Sequence, residues 1–241
     1  LKEQFPYRKW LKDNAIYIES SLDAYEGPGL KKIDSNKFIT ASKLFLLFKE
    51  ERVSVIKPLA IESQEGTGSM GDDTALAVMS KMHRQMYDFF RQQFAQVTNP
   101  PIDSLREVGV MTLETCFGPE LNIYEETPEH AKRLVTTSPV LSHKKLNAVL
   151  KNKYFKSKNI DLTFDQSTSL ERAIKNLQKD VVKEVRKGAS IIHLIEDVPP
   201  EGKLTINALL AVGAVHQNLV ELGLRSDANI VTSSSSARDT H

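Results

Sequence analysis

The chain has 241 residues and a mass of 27.1 kDa, and its 32 Lys+Arg against 31 Asp+Glu leave a formal net charge of +1, which points to no strongly charged partner for the molecule as a whole. Hydrophobic residues make up 40% and charged residues 26%, which excludes compositional disorder and suits one large folded domain, or one domain with an appendage. The single cysteine, Cys116, excludes an intramolecular disulfide and any Cys-only zinc or iron–sulfur site in this segment, and no run approaches the ~18–20 apolar residues of a membrane span.

The opening, Leu1-Lys2-Glu3-Gln4-Phe5, has neither an initiator Met nor a hydrophobic signal core, so the chain reads as an internal piece of a longer polypeptide. Residues 41–49 gather Leu44, Phe45, Leu47 and Phe48 into a helical pattern. Val53, Val55, Ile56 and Ala60 fit a strand by propensity and a short helix by spacing, so periodicity leaves that segment open. Met82, Met86, Phe89, Phe90 and Phe94 form an apolar helical stripe, read as a core face, which must stop before Asn99-Pro100-Pro101. Thr127 followed by Pro128 marks the start of another helix.

The last third is the most regular. Ile160, Leu162 and Phe164 alternate as in a short half-buried strand, and Ser167, Thr168 and Ser169 offer caps for a helix. Leu170, Ala173, Ile174, Leu177, Val181 and Val185 share a face of that helix, and Gly188 ends it. Residues 189–195 form an apolar β-branched run, 204–222 read as helix with Gly223 as stop, and 228–232 as a further strand. The succession β-α-β-α-β, with crossovers long enough for parallel pairing, predicts an α/β fold. The expected architecture is a degenerate (β/α) barrel-like domain, with parallel βαβ units in the C-terminal part, a mainly helical N-terminal half and truncation at the C-terminus.

Several motifs invite chemistry. Gly66-Thr67-Gly68-Ser69-Met70-Gly71 satisfies G-x-G-x-x-G, but no strand runs directly into the first glycine, and Asp72-Asp73 would repel phosphate. An ordered loop with close backbone contact, capped by Asp72 or Asp73, fits better. Those two acids lack a His or third carboxylate at ligand spacing, and the histidines at 83, 130, 143, 193, 216 and 241 are too scattered for a zinc site. His193, inside an apolar strand, reads as a hydrogen-bonded core residue, and Cys116 as a buried structural thiol. Expected strand ends carry Asp165, Glu196, Asp197, Thr232 and Ser233, a rim that an independent barrel enzyme could use as an acidic site. Lys144, Lys145, Lys151, Lys153, Lys156 and Lys158 read as a solvated surface rather than a nucleic-acid site.

Three strings then stand out: Lys57-Pro58-Leu59-Ala60, Gly68-Ser69-Met70-Gly71-Asp72-Asp73-Thr74, and Phe94-Ala95-Gln96-Val97-Thr98-Asn99-Pro100-Pro101-Ile102-Asp103. With Glu126-Thr127-Pro128-Glu129-His130-Ala131 and Ser138-Pro139-Val140-Leu141-Ser142, the chain resembles the glutamate synthase central domain. The resemblance is strong over 55–142, moderate over 188–241 and slight over 20–52 and 143–187. Ser233-Ser234-Ser235-Ser236 departs from the family's usual acidic, glycine-containing string, and Ser104 replaces a common proline.

The resemblance implies residues 1–30 as a linker from a preceding amidotransferase domain and 31–241 as a C-terminally incomplete central domain. It implies an oxidoreductase making L-glutamate from L-glutamine and 2-oxoglutarate, in which this segment carries no catalytic residue and is inactive alone. The segment would connect the glutaminase and FMN-binding domains of the same polypeptide and help wall an internal ammonia channel. Thr98 and Asn99 are the candidate channel wall, since hydroxyl, amide and carbonyl groups can hydrogen-bond ammonia where an apolar wall cannot. Gly68, Ser69, Gly71 and Asp72 are the candidate domain-interface loop. No cofactor, metal, nucleic acid or membrane is expected for the segment, while the whole enzyme implies FMN, an iron–sulfur cluster and NAD(P)H or ferredoxin, in the cytoplasm or an organelle. The alternative is a stand-alone α/β-barrel scaffold or barrel enzyme.

Overall fold

A computed structural model describes residues 5–19, 34–64, 66, 75, 77–81, 83–89 and 102–238. The C-terminal part is built on three parallel strands, β4 (Lys156–Asp161), β6 (Ala189–Ile195) and β8 (Asn229–Ser233), in the order β4-β6-β8. The register sets Ile160 beside Leu194, and Ile192 beside Ile230. Strand β6 is central, so its apolar run is buried on both faces, as a strand with two parallel neighbours requires. Two helices form the crossovers, α6 (Leu170–Arg186) and α7 (Ala208–Glu221).

Helix α6 starts where the Ser169 hydroxyl accepts the Arg172 amide hydrogen, and ends before Gly188, whose φ of +84° lies in the left-handed region. Its face at Ala173, Leu177, Val181 and Val185 meets Ala211, Val215 and Leu219 of α7 over Ile192 and Leu194 of the sheet. Each larger side chain buried there contributes roughly 1.5–3 kcal/mol of apolar transfer free energy, which makes this cluster the main core. Asn207 caps α7 by accepting from the Leu209 amide at 3.0 Å. The β-α-β-α-β expectation therefore holds, with both crossover helices packed against the same sheet.

Two details differ from the sequence reading. The alternating Ile160, Leu162 and Phe164 run does not lie on one strand: buried Leu162 separates β4 from β5 (Thr163–Asp165). Residues 203–205, expected to open a helix, instead form β7 (Lys203–Thr205), antiparallel to β5 with Phe164 opposite Leu204. The pairing of these two apolar residues supplies a partner that helical periodicity cannot foresee. A closed barrel is not found among the described residues, where the parallel sheet has three strands and two edges. Edge strand β4 carries exposed Lys156 and Lys158, which discourage further strand pairing.

A second, smaller sheet joins β1 (Ile16–Tyr17), β3 (Leu134–Thr136) and β2 (Thr115–Phe117). Its Phe117 and Leu134 pack with Val149 of α5 (His143–Leu150) and Ile191 of β6. Gly118 locks the two sheets together: its amide donates to Asn229 Oδ1 at 2.8 Å, and its carbonyl accepts from Arg133 at 2.6 Å. With φ at +139°, and a Cβ that would meet Phe155 at 3.0 Å, this position requires glycine.

The described N-terminal half is helical apart from these short strands. It includes α1 (Tyr7–Asn14), α2 (Ser35–Leu44), α3 (Lys49–Glu51) and α4 (Glu107–Val110). Helix α3 runs on through wider turns over Arg52–Ile56 and Pro58–Glu62, which settles the ambiguous 53–60 segment as helix. The described part of the Met82–Phe94 stripe is a single 3-10 turn, Met86–Phe89, with Phe89 exposed, so it forms no core face there. Met82, Phe90 and Phe94 lie outside the described residues. The helix expected after Thr127 is likewise one 3-10 turn, Pro128–Ala131.

Candidate functional site

The carboxyl ends of the parallel strands carry a connected set of polar groups. Glu196, one residue past β6, is only 6% exposed, and its carboxylate is surrounded by donors. The Ala208 amide at the start of α7 donates to Oε1 at 3.0 Å. Ser236 Oγ lies 3.0 and 2.8 Å from the two carboxylate oxygens, and Ser234 Oγ donates to Oε2. The Ser236 amide in turn donates to Ser234 Oγ at 2.9 Å. A buried carboxylate is tolerated when its lone pairs are filled in this way, with charge-assisted bonds of about 1.5–3 kcal/mol each. Here the acid ties the end of β6 to both α7 and the loop after β8.

One layer below, His193 is 5% exposed and bonded at both ring nitrogens. Nδ1 lies 3.1 Å from Asn159 Oδ1 on β4, and Nε2 lies 2.8 Å from Ser233 Oγ on β8. Because an amide oxygen only accepts, Nδ1 carries the proton, and Nε2 accepts from the serine hydroxyl. Burial pushes the imidazole pKa below its ordinary value, which keeps the ring neutral. The histidine thus bridges all three strands.

The other acids of the expected rim do not converge on this network. Asp165 sits on β5, where the hydroxyl and amide of Ser167 hold its carboxyl below the usual range. Asp197 accepts from the neighbouring Val198 amide at 2.7 Å. Among the described residues, no group of three His, Cys, Asp or Glu side chains is placed to hold a metal. Sequence reasoning treated the four-serine run only as a departure. The missing signal is spatial, because Ser234 and Ser236 meet Glu196 across about forty residues of chain.

Two further expectations are corrected. Cys116 is exposed on β2, an edge strand with one neighbour, and partial desolvation raises its thiol pKa, so it is neither buried nor activated. Lys145 does not belong to a solvated lysine face: it is 0% exposed, and its Nζ donates to Thr137 Oγ1 at 2.9 Å. Thr98, Asn99, Gly68, Ser69, Gly71 and Asp72 lie outside the described residues. Gly66, at the head of the same glycine-rich string, is described and buried. A Cβ there would meet the Val55 Cα at 3.0 Å and the Ser54 carbonyl at 3.1 Å, so this glycine serves close contact between two chain segments.

The described residues define an α/β domain in which a short parallel sheet is closed at its strand ends by an internal hydrogen-bond network. Comparison with known proteins gives the family. The model for the glutamate synthase central domain matches residues 40–241, and the chain belongs to that family. It is 35% identical to ferredoxin-dependent glutamate synthase 1, chloroplastic/mitochondrial, of Arabidopsis thaliana, over 98% of this chain and 15% of the relative. The ferredoxin-dependent glutamate synthase of Spinacia oleracea is 36% identical over 98% of this chain and 15% of its own length. The glutamate synthase [NADPH] large chain of Bacillus subtilis (strain 168) is 32% identical over 99% of this chain and 15% of its own. The chain thus spans about 15% of the length of these curated relatives. No helix among the described residues is long and apolar enough to cross a membrane.

Proposed function

We propose that this chain is the coupling domain of a glutamate synthase, the part that joins glutamine hydrolysis to reductive glutamate formation from 2-oxoglutarate within one longer polypeptide. The observation that carries this reading is the family match over residues 40–241, together with relatives named as glutamate synthases of which the chain spans about 15%. In this role the domain contributes position rather than bond-making. Ammonia released in a preceding amidotransferase domain passes along its surface to a following FMN-binding domain. Thr98 and Asn99 line that passage through hydrogen bonds, and Gly68, Ser69, Gly71 and Asp72 form a loop against a neighbouring domain.

An iron–sulfur cluster does not fit this chain, since it needs several thiolates and Cys116 is the single cysteine. The cluster and FMN are assigned to other parts of the polypeptide, as is the site for NAD(P)H or ferredoxin. The network at Glu196 and His193 supports the same reading, because an acid and a histidine with both polar ends engaged act as struts rather than as proton donors to a substrate.

The test uses the full-length polypeptide with Thr98→Val and Asn99→Leu. Free ammonia released per glutamine consumed should rise several-fold, while glutamate synthesis from added ammonium salt is retained. A double variant that stays as tightly coupled as the parent contradicts the assigned channel wall.

A further inference from the structure

The charge of this nearly neutral chain is unevenly placed. A groove of about 610 Å³ runs between α6 and α7, and five cations line it: Lys175, Lys179, Lys183, Arg186 and Lys187. No carboxylate lines it. Glu171 pairs with Lys175 at 2.6 Å and Glu184 with Lys187 at 3.2 Å. Lys179, Lys183 and Arg186 make no ion pair among the described residues. Val182 and Leu222 supply apolar surface between the charges. The positive field continues onto the edge strand, where Lys156 Nζ donates to the Lys187 carbonyl at 3.1 Å.

We propose that this groove is a docking surface for an acidic, amphipathic helix presented by a partner protein or by another domain of the same polypeptide. The spacing decides the class of ligand. Positions 175, 179, 183 and 186 follow the i, i+4, i+8, i+11 rows of one helix face, spread over roughly 17 Å along the axis. Carboxylates on one face of a second helix repeat at the same interval, and leucine-like side chains between them would meet Val182 and Leu222. A single phosphate would need several donors, preferably forked arginines, converging on one point, whereas this groove offers one arginine and a spread row of lysines. No aromatic side chain lines the groove for base stacking, and a chain of net charge +1 lacks the overall basicity of a nucleic-acid binder. This inference is independent of the ammonia-coupling role and would stand without it.

The test is fluorescence anisotropy of the full-length polypeptide with a labelled helical peptide of about 18 residues, glutamates at i, i+4, i+7 and i+11 and leucines beside them. Lys179→Glu, Lys183→Glu and Arg186→Glu together should weaken binding at least about tenfold, and raising the salt from about 50 to about 300 mM should weaken it in the parent. The same number of reversals on exposed Lys37, Lys43 and Lys49 leaves binding within about twofold. If the groove reversals disturb the circular dichroism spectrum, Lys183→Ala with Arg186→Ala replaces them, with about a threefold or larger loss expected. Equal losses from the two reversal sets would overturn the proposal, since attraction would then follow net charge alone. Tighter binding of a short DNA duplex than of the peptide would overturn it in favour of a polyanion site.

Discussion

At the residue scale, the most informative side chain is His193. It was legible as a core histidine because it interrupts the apolar run of residues 189–195, yet its partners were not, since Asn159 and Ser233 reach it only once β4 and β8 lie beside β6. Burial lowers its pKa, so the folded state resists the proton that the unfolded chain accepts near the ordinary value of 6.5. The stabilisation from the neutral ring is therefore complete above that value and lost as pH falls below it. The urea midpoint should drop more steeply between about pH 7.5 and about pH 5.5 in the parent than in His193→Gln. Equal pH dependence in the two proteins would remove the histidine as the titrating group. Gly66 and Lys145 show the limits of reading single residues. Close contact was legible from the glycine, but the Val55 backbone it touches was not, and nothing local marks Lys145 as the buried member of a lysine-rich run.

At the scale of elements, helix α6 and strands β6 and β8 follow from local pattern, because caps, a 3.6-residue apolar period and a left-handed glycine all agree on the helix boundaries. The ribbon of β5 and β7 was not legible. Three-residue strands carry too little alternation to be seen before their partner is known. The glutamate-to-serine network was hidden for the same reason, being made between strand ends rather than along one element. The packing of α7 makes a sharper claim. Leu219 is fully buried against α6 and the sheet, so Leu219→Ala should cost about 2–5 kcal/mol in denaturant unfolding, as cavity-forming substitutions do. A loss below about 0.5 kcal/mol would show that the core between helix and sheet is not closed there.

At the scale of the whole molecule, the C-terminal α/β unit is well packed, while the described N-terminal half leaves many large apolar side chains in solvent, among them Val78, Met79, Leu105, Val108, Ile123 and Tyr124. Apolar surface of this extent suits a domain whose neighbours cover it, in keeping with a chain that spans about 15% of its relatives. The expected barrel shows why fold analogy outruns residues. The βαβ order was legible, but closure depends on strands and register that three parallel strands do not supply.

The central claim, that this domain works inside a glutamate synthase, is tested most directly by immunoprecipitating the native polypeptide with an antibody against residues 143–238, then assaying it for glutamate formation that requires both glutamine and 2-oxoglutarate. The account expects a species several times heavier than 27.1 kDa that carries this activity and a flavin absorbance. A native species near 27.1 kDa without that activity would contradict it.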